Sequence, residues 1–200
     1  MIGTTVYKIL YIIVRAVMFL WHPVLKVYGK ENLPKNGKVL ICPNHSGMAD
    51  PIWIVLAGHP DRIPRIMAKK ELMKVPLLRG LLKWLGVFGV DRSGADINAV
   101  KTGLKCLKND QQLMIFPEGT RVKRGERVQP KGGAILLSSR TGAPIVPVYL
   151  TAKRYPFSPL SCVFGEPYLP VEPGSKPSEQ EMQQLAQELM DRVYALEGTV

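Results

Sequence analysis

Polar and apolar positions along the chain repeat with helical period in some stretches and gather into short unbroken apolar runs in others. In residues 1–22, Thr4, Lys8, Tyr11, Arg15 and His22 recur at spacings of three, four or seven, which is one face of a helix. Ile9, Leu10, Ile12, Ile13, Val14, Val17, Phe19, Leu20 and Trp21 fill the rest of its circumference. Between residues 37 and 165 the runs have strand length and alternate with helical patterns. Strands are predicted over 38–42, 65–68, 86–90, 113–116, 145–150 and 162–164, and helices over 51–57, 70–84, 96–108 and 131–139. A last helix, 179–196, opens on Ser178-x-x-Glu181, a capping-box pattern, and carries the stripe Met182, Leu185, Leu189, Val193. This alternation predicts an α/β fold: a single domain with a mostly parallel, twisted sheet flanked by helices, plus an N-terminal amphipathic helix.

Two hundred residues at 46% apolar composition are enough for one domain with a sizeable core, and they argue against disorder. No internal period points to a repeat architecture. The three cysteines, Cys42, Cys106 and Cys162, are odd in number and lack C-x-x-C spacing. That argues against a disulfide scaffold or a structural zinc site and fits a reducing, cytosolic compartment.

Charge changes the picture more. The chain carries +11, but residues 1–165 hold +16 and residues 166–200 hold −5. Such a field attracts a polyanion: nucleic acid, an anionic lipid surface or an acidic carrier. The N-terminal pattern favours the lipid. A helix of 22 residues is about 33 Å long, enough to cross a bilayer core. Crossing would place Lys8 and Arg15 in the membrane, at about 2.5–3.5 kcal/mol for a charge at its centre. Lying in the interface avoids most of that, with Trp21 and the tyrosines at headgroup depth. The start has neither a charged n-region nor a small-residue cleavage site, so a signal peptide is not expected. The expectation is a peripheral, monotopic anchor on the cytoplasmic face. A rival is an amphipathic helix packed on the domain's own core. Residues 62–88 add Arg62, Arg65, Lys69, Lys70, Lys74, Arg79 and Lys83 interleaved with leucines, which suits an anionic membrane surface. The interleaved residues are mostly aliphatic, with Trp84 among them, not a platform of stacking aromatics, and no nucleic-acid-binding motif occurs, so no nucleic acid partner is expected.

The chemistry-bearing residues follow predicted strands: Asn44 to Pro51, Asp91-Arg92, and Pro117 to Arg121. Ligands of open α/β sheets bind outside the carboxyl ends of strands, so these loops are expected to share a crevice. His45 is the candidate general base. Asp50, five residues on, can accept from one ring nitrogen and leave the other to take a hydroxyl proton. Asp50-Pro51 also reads as a helix N-cap followed by proline, a role compatible with the first. His22 and His59 read as incidental, and two candidate ligands do not make a metal site. With no nucleophile elbow, Ser46 is not expected to form an acyl-enzyme. Arg92 and Arg121 are candidate anion ligands, and Lys131-Gly132-Gly133 at a helix start adds further donors. Lys123, Arg124 and Arg127 read as a solvated loop.

Taken in order, Asn44-His45-Ser46-Gly47-Met48-Ala49-Asp50-Pro51, Gly89-Val90-Asp91-Arg92, Phe116-Pro117-Glu118-Gly119-Thr120-Arg121 and Ile145-Val146-Pro147-Val148 resemble the four blocks of the glycerolipid acyltransferases with the His-x4-Asp motif. They are most similar to the branch that acylates 1-acyl-sn-glycerol 3-phosphate. The resemblance implies an acyltransferase domain over 25–200 behind an N-terminal interfacial helix over 1–24. It implies transfer of a fatty acyl group from acyl-CoA or acyl carrier protein to the sn-2 hydroxyl of lysophosphatidic acid, giving phosphatidic acid in phospholipid biosynthesis, with no metal or organic cofactor. Under it His45 is the general base and Asp50 its orienter. Arg92, Arg121 and Lys131 hold the acceptor phosphate. Glu118 positions the acceptor beside Thr120, and backbone donors around Gly119 serve the oxyanion. Alternatives are another glycerolipid acceptor (a lysophospholipid or glycerol 3-phosphate), or a non-catalytic peripheral protein that binds anionic lipid.

Overall fold

The protein was analysed as a computed structural model, which describes residues 4–74, 79, 80, 82, 86–91, 96–123, 125–151 and 157–200. Helix α1 (Thr4–Trp21) precedes β1 (Leu25–Tyr28), β2 (Val39–Pro43), α2 (Asp50–Ala57), β3 (Arg65–Lys69) and β4 (Val87–Val90). Then follow α3 (Ile97–Lys108), β5 (Gln112–Met114), α4 (Gly133–Thr141), β6 (Ile145–Leu150), β7 (Leu160–Phe164) and α5 (Glu179–Ala195). The seven strands form one sheet in the order β1-β7-β6-β2-β5-β3-β4. Every neighbouring pair is parallel except β6 with β7.

The predicted strands are all present, 145–150 with the bounds expected and the others with ends shifted by one or two residues. β5 stops at Met114, two residues early, because the chain leaves the ladder toward Phe116-Pro117, although Ile115 still donates its N–H to Ile41. β1 was not predicted: it is a short edge strand whose side chains are alternately half-buried and exposed, with Lys26 on the open side. The predicted helix over 70–84 begins instead as a 3-10 helix, Lys70–Lys74, and most of its remainder lies outside the described residues.

Residues of β2 and β6 are buried throughout, as expected of central strands covered on both faces, where the sequence shows unbroken apolar runs instead of alternation. Alternate side chains of β2 serve two cores. Val39 and Ile41 face a layer built from Met18 of α1 and Trp53, Ile54 and Leu56 of α2. Leu40 and Cys42 face Leu107 of α3, Ala134, Ile135 and Leu137 of α4, and Leu189 and Val193 of α5. The capping box at Ser178 is present, with Glu181 N donating to Ser178 Oγ and Ser178 N to the Glu181 carboxylate, so α5 starts where the pattern put it.

Helix α1 sits on the domain through Tyr11, Val14 and Met18, with His22 just past its end, while Arg15 stays exposed. Tyr11 donates its hydroxyl to Leu56 O at 2.9 Å, Met18 is buried, and buried His22 donates from Nδ1 to Ser158 O at 2.8 Å. The apolar arc points the other way: Ile9, Ile12, Ile13, Val17, Phe19, Leu20 and Trp21 are 53–73% exposed. Among the described residues, no helix is long and apolar enough to cross a membrane. Contiguous apolar exposure on this scale marks an interaction surface.

Leu113 is fully buried between the sheet and α3–α5. Leu113→Ala is expected to lower stability by about 2–5 kcal/mol through the cavity it leaves. Urea unfolding with an unchanged m-value checks this, and a loss below 1 kcal/mol would contradict the packing described.

Candidate active site

The loops after β2, β4 and β5 all emerge at the carboxyl edge of the parallel part of the sheet. Asn44 sets the direction of the first. Its side chain takes the place of one more strand residue: Nδ2 donates to Leu150 O at 3.0 Å, and Leu150 N donates to Oδ1 at 2.8 Å. The chain then turns sharply, and α2 begins at Asp50. The N-cap is Ala49, not Asp50 as the sequence suggested; Asp50 is the first helical residue, followed by Pro51.

Because it does not cap the helix, the Asp50 carboxylate folds back over the loop. Its Oδ2 accepts from His45 Nδ1 at 2.9 Å, from Ser46 N at 2.6 Å and from Gly47 N at 2.8 Å. Asp50 is fully buried. A His45 proton on Nδ1 leaves the lone pair on Nε2, which among the described residues has no hydrogen-bond partner. The ring packs on Phe116 at 4.1 Å between centroids. This is a base with a fixed tautomer and one open nitrogen. The other two histidines are structural, His22 as above and His59 through Nε2 to Leu33 O at 3.0 Å.

Glu118 does something the sequence did not indicate. It is 4% exposed, and both carboxylate oxygens are engaged inside the protein. Oε2 accepts the His45 backbone N–H at 2.6 Å, and Oε1 accepts the hydroxyl of Tyr194 from α5. Glu118 is turned inward and holds the main chain of His45. Val122 N holds the same residue from its other side, donating to His45 O at 2.7 Å. Burial pushes the Glu118 carboxyl above its ordinary range, against the opposing pull of the Tyr194 hydroxyl and the His45 N–H.

Gly119 closes a turn with its N–H on Phe116 O at 3.1 Å. Its contribution is a φ of +65° and a bare Cα, because a Cβ there would meet Lys131 Cε at 3.0 Å. Lys131, whose N–H donates to Pro117 O at 2.8 Å, thus runs its exposed side chain across the glycine. Thr120 and Arg121 are exposed on the same loop. Arg92 lies outside the described residues. Its neighbour Asp91 is held by Asp96, which accepts the Asp91 N–H at 2.8 Å and caps α3 through Ala99 N at 2.9 Å. Asp91 and Lys131 both line a cavity of about 340 Å³ whose walls are otherwise largely apolar, including Met67, Val100, Ile115, Phe116, Leu137 and Met182. Phe116 therefore separates the imidazole from an apolar space rimmed by a cation.

Three of the roles described here were not legible in the motifs. Asn44 as a strand extension and Glu118 as a main-chain clamp need coordinates. Tyr194 sits in a helix with no motif, and nothing in its surroundings distinguishes it from other helical tyrosines.

Comparison with known proteins fits this geometry. The model of the Acyltransferase family matches residues 24–151. The 1-acyl-sn-glycerol-3-phosphate acyltransferase of Bacillus subtilis is 32% identical over 179 residues, covering 87% of this chain and 88% of that protein. The protein of that name from Borreliella burgdorferi is 32% identical over 139 residues, covering 66% of this chain and 53% of its own length. The crystal structure of the 1-acyl-sn-glycerophosphate (LPA) acyltransferase from Thermotoga maritima has a TM-score of 0.69 at 26% identity, covering 97% of this chain and 79% of that one.

The strain at Gly119 gives a direct test. Gly119→Ala is expected to lose about 1–2 kcal/mol of stability by placing an L-residue in the left-handed region, with the Lys131 contact adding to it. Gly37→Ala, at φ +74° with open space around it, isolates the backbone part. Urea unfolding of the two variants checks this; an unaltered midpoint for Gly119→Ala would contradict the turn.

Proposed function

The chain belongs to the acyltransferase family, and from that premise we propose that it transfers a fatty acyl group from an acyl thioester to the sn-2 hydroxyl of lysophosphatidic acid, yielding phosphatidic acid. The observation that carries this reading is the His45–Asp50 pair with Nε2 open, the ring packed on Phe116, which also walls a largely apolar cavity. The names of the Bacillus subtilis and Thermotoga maritima proteins support the acceptor.

The reaction then follows from the geometry. His45 Nε2 takes the proton of the acceptor hydroxyl as its oxygen attacks the thioester carbonyl. The tetrahedral intermediate collapses with the C–S bond broken, the ester formed, and the proton on Nε2 passed to the departing thiolate. Asp50 holds the reactive tautomer and stabilises the imidazolium while it lasts. Arg121, Lys131 and Arg92 are the proposed phosphate ligands, since guanidinium and ammonium groups suit a phosphomonoester. An acyl chain fits the apolar walls between Met67 and Met182. The donor is acyl-CoA or acyl carrier protein, both of which present an anionic group to a chain carrying +11.

We propose further that α1 lies in the plane of a membrane interface, on the cytoplasmic face, as residues 1–24 ahead of a catalytic domain over 25–200. The outward apolar arc supports this, as do Met48 and Ile52, exposed beside the His45 loop.

His45→Ala is expected to lower kcat by about 10²–10⁴-fold or more at unchanged circular dichroism, assayed as phosphatidic acid formed from acyl-CoA and from acyl carrier protein in parallel. Most of the activity surviving would exclude His45 as the base. No product from wild type with either donor would point to another acceptor or to lipid binding alone. For the anchor, replacing Ile12 and Leu20 together with glutamate removes about 3–6 kcal/mol of apolar burial. Flotation with anionic vesicles should show at least a hundredfold weaker binding, and undiminished binding would place the contact elsewhere.

A further inference from the structure

Helix α5 lies beyond the residues matched by the family model, yet its last turn reaches the candidate active site. Tyr194 donates to Glu118 Oε1 across 76 residues of sequence, and Glu118 Oε2 takes the His45 N–H at 2.6 Å. One buried carboxylate thus joins a hydroxyl on α5 to the main chain of the proposed base. The Tyr194 ring is itself fixed. The Arg127 guanidinium stands 3.6 Å from its centroid, and Tyr149 of β6 meets it edge-on at 6.5 Å. An ordinary structural tyrosine on a helix end would send its hydroxyl to solvent or to a backbone carbonyl; this one spends it on the carboxylate that holds His45.

We propose that Tyr194 is a positioning residue for His45, acting through Glu118: its hydroxyl keeps that carboxylate aimed, so that the His45 main chain, and with it Nε2, stays in place. Only its kinetic consequence rests on the acyltransferase reading above.

The sign of the effect follows from what faces Glu118. Burial raises its affinity for a proton, and the Asp50 carboxylate raises it further, while Tyr194, the His45 N–H and the His45 ring lower it. Arg127 and Tyr149 face the Tyr194 ring from the other side. Removing the hydroxyl deletes one of the two donors, so Glu118 takes up a proton at higher pH than before. A protonated Glu118 is a poorer acceptor for the His45 N–H, and the loop that carries the base loosens. Function on the acid side is therefore lost sooner.

The test uses the full chain in detergent micelles, with Tyr194→Phe, Glu118→Gln and the double variant. Tyr168→Phe is the control, because its ring lies against Arg192 of the same helix at 4.4 Å without touching Glu118. Two readouts are followed against pH: kcat and KM for transfer to lysophosphatidic acid, and the NMR shift of the His45 backbone amide, which needs no turnover. Tyr194→Phe is expected to lower kcat about tenfold with KM within about twofold. It should move the acid limb of kcat and the titration of the His45 amide to higher pH. Tyr168→Phe should move neither, and in the Glu118→Gln background Tyr194→Phe should add no further shift. A Tyr194→Phe protein with the wild-type acid limb and wild-type amide titration overturns the proposal. So does an equal shift in Tyr168→Phe, or an activity loss that only tracks unfolding. Absence of turnover in wild type would count against the function proposed above, and the amide titration would still decide this one.

Discussion

A buried carboxylate is tolerated only where donors meet its charge, and Asp50 meets this condition. Three donors converge on its Oδ2: the His45 ring and the N–H groups of Ser46 and Gly47. Because two of them are backbone, the same interaction that orients the imidazole also folds the loop. Neither is separable from the other. The helix start at Asp50, the exit from β2 and the tautomer of His45 are one arrangement described from three sides.

The sheet makes this arrangement possible. β2 and β6 are buried on both faces, so the edge from which the loops leave is held by the most tightly packed part of the molecule. Asn44 carries the pairing one residue past the end of β2, borrowing both backbone groups of Leu150. Glu118 and Val122, from the loop after β5, then fasten the main chain of His45 on either side. Three segments far apart in sequence thereby hold the main chain that carries one imidazole.

Much of this was legible before any coordinates, and the reason is physical. Period and run length report burial, so the strands, the α/β class and the capping box at Ser178 could be read directly. His45 and Asp50 could be paired because their interaction spans five residues and is local. What could not be read depends on long-range geometry. The inward turn of Glu118 is set by His45 and by Tyr194, each more than 70 residues away. The commitment of the Gly119 N–H to the turn that shapes its loop likewise needs coordinates to see. β1 was missed because a run of four residues interrupted by Lys26 is too short to stand out.

Helix α1 meets the domain along one stripe, through Tyr11, Val14 and Met18. Tyr11 and His22 hold it at both ends of the contact, through Leu56 O and Ser158 O. A rod pinned at two points cannot swivel about its own axis or about its end. Any surface that receives the apolar arc must therefore receive the whole domain in one pose, with the carboxyl edge of the sheet at a set height and tilt. Such a body explores that surface by sliding and spinning in plane, and its search for a partner there is two-dimensional.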